Sequence, residues 1–244
     1  MTTLLLRLSG PLQAWGVSSK YARRDTAREP TKSGIIGMLA AARGIRRTDP
    51  LPDDLLGLRF GVRADCPGTV MSDFQTARRS DGSSLPLSYR NYLADAVFLV
   101  VLEGDHELLA GLKESLVRPG FPLYLGRRSC PPGQPVVGTL DPRGLATVLE
   151  QHEWIAPRWY ARRHDESIAL DVSRDLLPDE ETEMSNVRET GDLVRDVPIS
   201  FAPEHRQHGW RVVKRYRVRV PNSAAEPRNG PPSLPPHEPA AFGD

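Results

Sequence analysis

The order of apolar segments predicts an α+β chain: a ferredoxin-like (RRM-like) βαββαβ unit with an extra strand, followed by a smaller β-rich C-terminal part. Three observations carry this. Leu4, Leu6 and Leu8 alternate along the first strand, with Leu5 apolar on its other side. Two segments, near 31–43 and 105–117, repeat apolar residues at helical spacing. Between them AVFLVVL (96–102) is unbroken and reads as a strand buried on both faces.

Taken in order, residues 3–8 form a central strand that runs into Gly10-Pro11 and then Gln13, Trp15 and Gly16. Residues 17–30 are polar, basic and without period, hence a long loop. Thr31 or Ser33 caps a helix after Pro30, with Ile35, Leu39 and Ala42 on one side and Gly44 ending it. Gly34 and Gly37 lower its helix propensity but permit close packing. Residues 58–64 and 69–76 flank Asp65-Cys66-Pro67-Gly68 and read as a hairpin. ARRSDGSSLP (77–86) is an exposed loop or the tip of an extended hairpin. Asp105 caps a second helix, with Leu108, Leu109, Leu112 and Leu116 facing the core and Pro119-Gly120 stopping it. The organisation expected is therefore a unit over 1–135, a small β-rich region over 136–220, and a disordered tail over 221–244, where seven prolines accompany little apolar matter. Within 136–220, residues 143–151 suggest a short helix, the acidic 165–196 stretch loops and short strands, and 210–220 a sharply alternating strand with Arg211, Arg215, Arg217 and Arg219 on one face.

No apolar run approaches the roughly 20 residues of a membrane helix, and the start MTTLLLRLSG has neither the basic flank nor the length of a signal peptide. A cytoplasmic protein without membrane partners is expected. Cys66 and Cys130 stand alone, which argues against a disulfide framework or a zinc site; no metal or cofactor is expected. The net charge of +1 hides a strong asymmetry. Residues 1–47 hold nine Lys/Arg against two acids, and 165–196 hold eleven acids against three arginines. Local fields of this kind suit a polyanionic partner despite the near-neutral total. Of the 32 basic residues 28 are arginine, whose planar fork matches phosphate and stacks on bases.

The motifs point the same way. PTKSG (30–34) lacks the glycines of a nucleotide-binding loop, yet a helix N-terminus carrying Lys32 and Ser33 offers free N–H groups to a phosphate, with Lys20, Arg23, Arg24 and Arg28 upstream. Tyr89 and Arg90 in YRNYL mix ring and guanidinium as stacking platforms for unpaired bases do, or else pack a tyrosine inward. In LYLGRRSCPPG (123–133) glycines bracket Arg127 and Arg128, so backbone and charge can both approach a ligand. His164 has acid neighbours but no nucleophile nearby in sequence, and no hydrolase or metalloprotease motif occurs.

LSGPLQAWG (8–16), PTKSGIIGMLAAARGI (30–45), YLADAVFLVVL (92–102) and YLGRRSCPPG (124–133), in this order and spacing, closely resemble the CasD family of type I-E CRISPR Cascade subunits, within the RAMP superfamily. The resemblance covers roughly the first 135 residues. It implies a non-catalytic subunit that grips the 5′ handle of CRISPR RNA, caps the backbone of repeated subunits, adjoins the large subunit that reads the protospacer-adjacent motif, and meets target DNA only indirectly. It also implies an extended hairpin, the thumb, here about 72–92 with Arg78 and Arg79 near its tip. On this reading Gln13 reads a base edge or bonds a phosphate, and Trp15 either stacks on a handle base or wedges the loop into the core. Two other readings stand beside it. One is a metal-independent endoribonuclease acting on CRISPR repeat RNA, with Lys20, Tyr21 and His164 as candidates. The other is a protein adaptor whose basic face meets acidic segments such as another copy's 165–196.

Overall fold

The computed structural model describes residues 2–16, 23–182 and 191–225, with the backbone alone at 181 and 182. Its elements run β1 (Thr2–Ser9), β2 (Leu12–Gln13), β3 (Trp15–Gly16), β4 (Arg23–Arg24), β5 (Thr26–Ala27), α1 (Lys32–Ala42), α2 (Asp53–Leu56), β6 (Arg59–Cys66), β7 (Thr69–Gln75), β8 (Ser88–Ala94), β9 (Val97–Gly104), α3 (His106–Val117), β10 (Gly138–Asp141), α4 (Leu145–Gln151), α5 (Arg158–Ala161), β11 (Ser167–Asp175), α6 (Pro178–Thr182), β12 (Asp192–Ser200) and β13 (Gln207–Pro221). The structure is mixed α/β and mostly sheet.

The alternating leucines of β1 divide two cores. Leu4, Leu6 and Leu8 join the buried faces of α1 and α3 and the Phe98, Val100 and Leu102 side of β9. Leu5 joins Leu99, Val101, Val172, Val218 and the buried residues of α4 on the opposite side. Burial of each such leucine or valine contributes about 1.5–3 kcal/mol. Both caps form as the sequence requires. The Thr31 hydroxyl accepts from the Gly34 N–H, and the Asp105 carboxylate accepts from the N–H groups of Glu107 and Leu108.

One antiparallel sheet of seven strands carries the architecture, in the order β10–β1–β9–β6–β11–β13–β12. The boundary expected near residue 135 falls within this sheet. β10 lies outside β1 on one flank, and β11 pairs with β6 on the other, so the C-terminal strands continue the sheet. The acidic 165–196 stretch, expected as loops and short strands, supplies two nine-residue strands, β11 and β12. Its carboxylates face the arginines of β13 across the ladder: Asp171 meets Arg217, Asp175 and Asp196 meet Arg211, and Asp192 meets Arg215. Opposite charges paired across strands make acidic residues compatible with a ladder they otherwise disfavour. These contacts engage within one chain four carboxylates of the acidic segment that an adaptor would present to another copy.

The segments 58–64 and 69–76 do not form the expected hairpin. β6 pairs with β9 and β11, while β7 pairs with β8 from Thr69↔Ala94 to Gln75↔Ser88. Residues 65–68 are a corner at which the chain leaves the main sheet. Gly68 takes φ +67° there, and a Cβ would lie 2.4 Å from the Ala94 carbonyl oxygen, so only glycine fits. Of the proline-rich tail, 226–244 lie outside the described residues. No helix among the described residues is long and apolar enough to cross a membrane.

Candidate nucleic-acid interface

β8 is the hub of a second, smaller sheet. On one side it pairs antiparallel with β7; on the other it holds β2, antiparallel, and β4, parallel, with Arg23 beside Tyr89 and Arg24 beside Arg90. The 124–130 loop closes over this hub. Ala14 N–H donates to the Leu125 carbonyl at 3.0 Å, and Gly126 takes φ +86° because a Cβ would sit 1.8 Å from the Ala14 oxygen. Arg127 fixes the arrangement. Its guanidinium donates to the carbonyls of Asn91 (3.0 Å), Arg24 (2.8 Å) and Asp25 (3.2 Å) and lies 4.9 Å over the Tyr92 ring. A five-donor fork that joins three carbonyls across two connections is a staple.

Among the expected contact residues, Arg23, Arg24, Tyr89, Arg90, Arg127 and Arg128 converge on this rim. Arg24 and Arg128 are exposed, and Arg23 holds Asp25 at 3.3 Å from an exposed position. Tyr89 is 51% exposed and pairs across the strands with Phe74, at 66% the more exposed of the two. Tyr89, Phe74 and Arg23 share one face of this sheet and Arg24 and Arg90 the other; exposed rings and guanidinium groups of this kind suit unpaired bases and their phosphates. Arg90 has a buried Nε without a hydrogen-bond partner. Arg78 and Arg79 lie apart, near the end of the β7–β8 hairpin. Arg78 bridges to Ser84, and the Arg79 N–H donates to the Ser83 carbonyl. Lys20 and Tyr21 lie outside the described residues.

Four expected contacts are not surface groups. Trp15 is fully buried, its ring against Gly34 of α1. Its indole N–H donates to the Gln13 side-chain oxygen at 3.2 Å, and the Gln13 amide donates to the Ala96 carbonyl at 2.7 Å. The pair thus wedges the 12–16 segment into the core, since a buried indole and amide each need a partner. Lys32 is also buried. Its Nζ donates to Asp175 at 2.9 Å while Asp196 accepts the Lys32 backbone N–H at 2.8 Å. Asp196 and the Thr31 cap therefore occupy the N-terminus of α1 that was expected to receive phosphate, and Ser33 lies buried beside Thr31. The sequence does not single out Asp25 and Asn91, yet the Asn91 amide donates to the Asp25 carboxylate at 2.7 Å and ties β4 to β8. Only the short polar run RRDT offered any sign of this.

Cys130, at the foot of the loop, is buried, and burial pushes its thiol up, away from the thiolate a nucleophile requires. His164 lies elsewhere, packed against Tyr160 and Trp154, and Trp154 belongs to the α4 side of the sheet. Among the described residues no group of three or more His, Cys, Asp or Glu is arranged to hold a metal.

The family model for CRISPR-associated protein (Cas_Cas5) matches residues 3–214, and the chain belongs to that family. It is 35% identical over 171 residues to the CRISPR system Cascade subunit CasD of Escherichia coli (strain K12), covering 62% of this chain and 76% of that protein. Among solved structures it is similar to a chain of a CRISPR RNA-guided surveillance complex, with a TM-score of 0.68, 30% identity and 95% of each chain covered. It is likewise similar to a Cas protein solved by crystallography, with a TM-score of 0.65, 34% identity, and 91% of this chain and 97% of that one covered.

Proposed function

We propose that this chain is a non-catalytic subunit of a type I-E Cascade surveillance complex, and that it binds the 5′ handle of CRISPR RNA and caps the row of backbone subunits beside the large subunit that reads the protospacer-adjacent motif. The observation that carries the reading is the rim around β8, where Arg24, Arg128 and Tyr89 are each exposed around a base stapled by Arg127. Arginine–phosphate contacts supply affinity, and splayed bases against the rings supply selectivity. The β10–β1–β9–β6 order, with α1 and α3 on one face, supports reading these elements as the ferredoxin-like βαββαβ unit. The β7–β8 hairpin, with its tip near Arg78 and Arg79, supports reading 72–92 as the thumb. Sequencing the RNA that copurifies with the intact assembly tests the proposal. A uniform repeat-derived 5′ end seated on this subunit is the expected result, and a random transcript population overturns it. Incubating the pure chain with labelled repeat RNA in EDTA tests the absence of catalysis: intact RNA is expected, and a defined cut overturns it.

A further inference from the structure

A second basic site lies beyond the rim, where three connections meet the C-terminal half of α1. Arg47 follows the helix, Tyr124 lies in the loop after α3, and Arg206 lies in the connection between β12 and β13. The convergence is built in. The loop after α3 is stitched to the helix end by Gly120 N–H and Phe121 N–H, which donate to the Ala42 and Ala41 carbonyls. The β12–β13 connection is seated by Phe201, whose ring lies over Gly37 of α1. The Arg206 guanidinium lies 6.0 Å from the Phe201 ring. Arg47 Nη2 donates to the Tyr124 hydroxyl at 3.0 Å, which aims it.

The charges at this point are unbalanced. Arg47 and Tyr124 are the charged and ionisable groups that act on Arg206, and partial desolvation and then the Arg47 cation weaken its hold on a proton; among the described residues Arg206 has no ion pair with a carboxylate. Elsewhere the same chain sets an acid against its clustered arginines, as Asp175 and Asp196 do for Arg211. A guanidinium over an aromatic ring and a second one held by a tyrosine hydroxyl, neither in an ion pair among the described residues, form a receptor for an anion. We infer that Arg47, Tyr124 and Arg206 form a binding site for a backbone phosphate of the RNA strand. The inference rests on the RNA-binding reading, because Tyr124 of this site and Arg128 of the rim belong to one loop.

The test measures binding of the full chain, or of the complex containing it, to fluorescein-labelled oligouridine across a salt series, because phosphate contacts are indifferent to sequence. For Arg47→Ala with Arg206→Ala, the slope of log affinity against log salt is expected to fall by about 0.7 for each phosphate released. Arg47→Lys with Arg206→Lys, which keeps both charges, and Tyr124→Phe are expected to retain most of the slope. Arg206→Gln, a single change on an exposed connection, serves if the double variant melts early. A wild-type slope in Arg206→Gln or in the double alanine variant, alongside a lowered slope for Arg128→Ala, overturns this site and leaves the rim standing. Absence of oligouridine binding by the wild-type protein overturns both.

Discussion

Two regions of this molecule are rich in arginine and use it in opposite ways. Along β11, β12 and β13 most of the positive charges are answered by carboxylates. Lys32 and Arg211 share Asp175, Arg211 also grips Asp196, Arg174 and Lys214 share Glu180, and Arg215 meets Glu29 and Asp192. The Arg174 guanidinium, with the Leu177 N–H and Lys214, holds the Glu180 carboxyl well below the usual carboxylate range. Around β8 the guanidinium groups of Arg24 and Arg128 face outward, and Arg127 spends its donors on carbonyls. The lesson is that a count of basic residues says little about a binding surface until the carboxylates opposite them are known. The strands use ion pairs to register a sheet; the rim keeps its charges available.

The contrast can be broken experimentally, most sharply in its buried half. Asp175→Ala strands Lys32 in the interior and leaves Arg211 with Asp196 alone, and removing one partner of a buried pair costs about 3–5 kcal/mol; chemical denaturation is expected to show a loss of that size, and a loss under 1 kcal/mol would mean the network does not register the strands. Trp15→Ala is expected to cost a comparable amount, about 3–5 kcal/mol, through the cavity it leaves beneath the rim. Unchanged melting with lost RNA binding would instead return Trp15 to the role of a stacking ring. Arg127→Ala separates staple from contact: loss of its hydrogen bonds lowers stability by about 1–3 kcal/mol, with weakened RNA binding following from a loosened loop. Arg128→Ala is expected to leave stability within about 0.5 kcal/mol and to reduce the salt slope by about 0.7; a lowered melting point with an intact slope would reverse the two assignments.

The smallest effect concerns His208, near the start of β13. Burial, then the cations of Arg206 and Arg195, lower its proton affinity from the ordinary 6.5 against a weaker pull from Asp196. The unfolded chain therefore binds this proton more readily, and stability falls as pH drops from near 6.5 toward the lower folded value. His208→Gln should flatten that part of a stability–pH curve; an unaltered curve would show that other groups govern it.

The parts of this fold legible in the sequence were those whose signals are local. β1, β9 and the caps of α1 and α3 follow from alternation and from Thr31 and Asp105, which act within a few residues. The pairing of β7 was not legible, because the alternation at 69–76 names a strand without naming its partner, and Gly68 serves a corner as readily as a turn. The long acidic strands were obscured for a related reason: Asp171 and Asp175 lower strand propensity alone, and their compensation lies more than thirty residues away on β13. At the candidate site the sequence chose the right kinds of residue at Arg24, Tyr89 and Arg128. It had no means of telling them from Gln13, Trp15 and Lys32, whose burial is decided by α1 and by the strands that close over it.

The margins of the large sheet carry a last consequence. One outer strand, β10, is four residues long; the other, β12, breaks register between Val194 and Val197 and again between Pro198 and Ser200, with a proline inside it. Short, kinked borders of this kind refuse an added strand. Neighbours in an assembly are thereby steered to dock through side chains and loops, where a wrong partner is rejected by shape and charge, and not through a backbone ladder that any extended peptide can join.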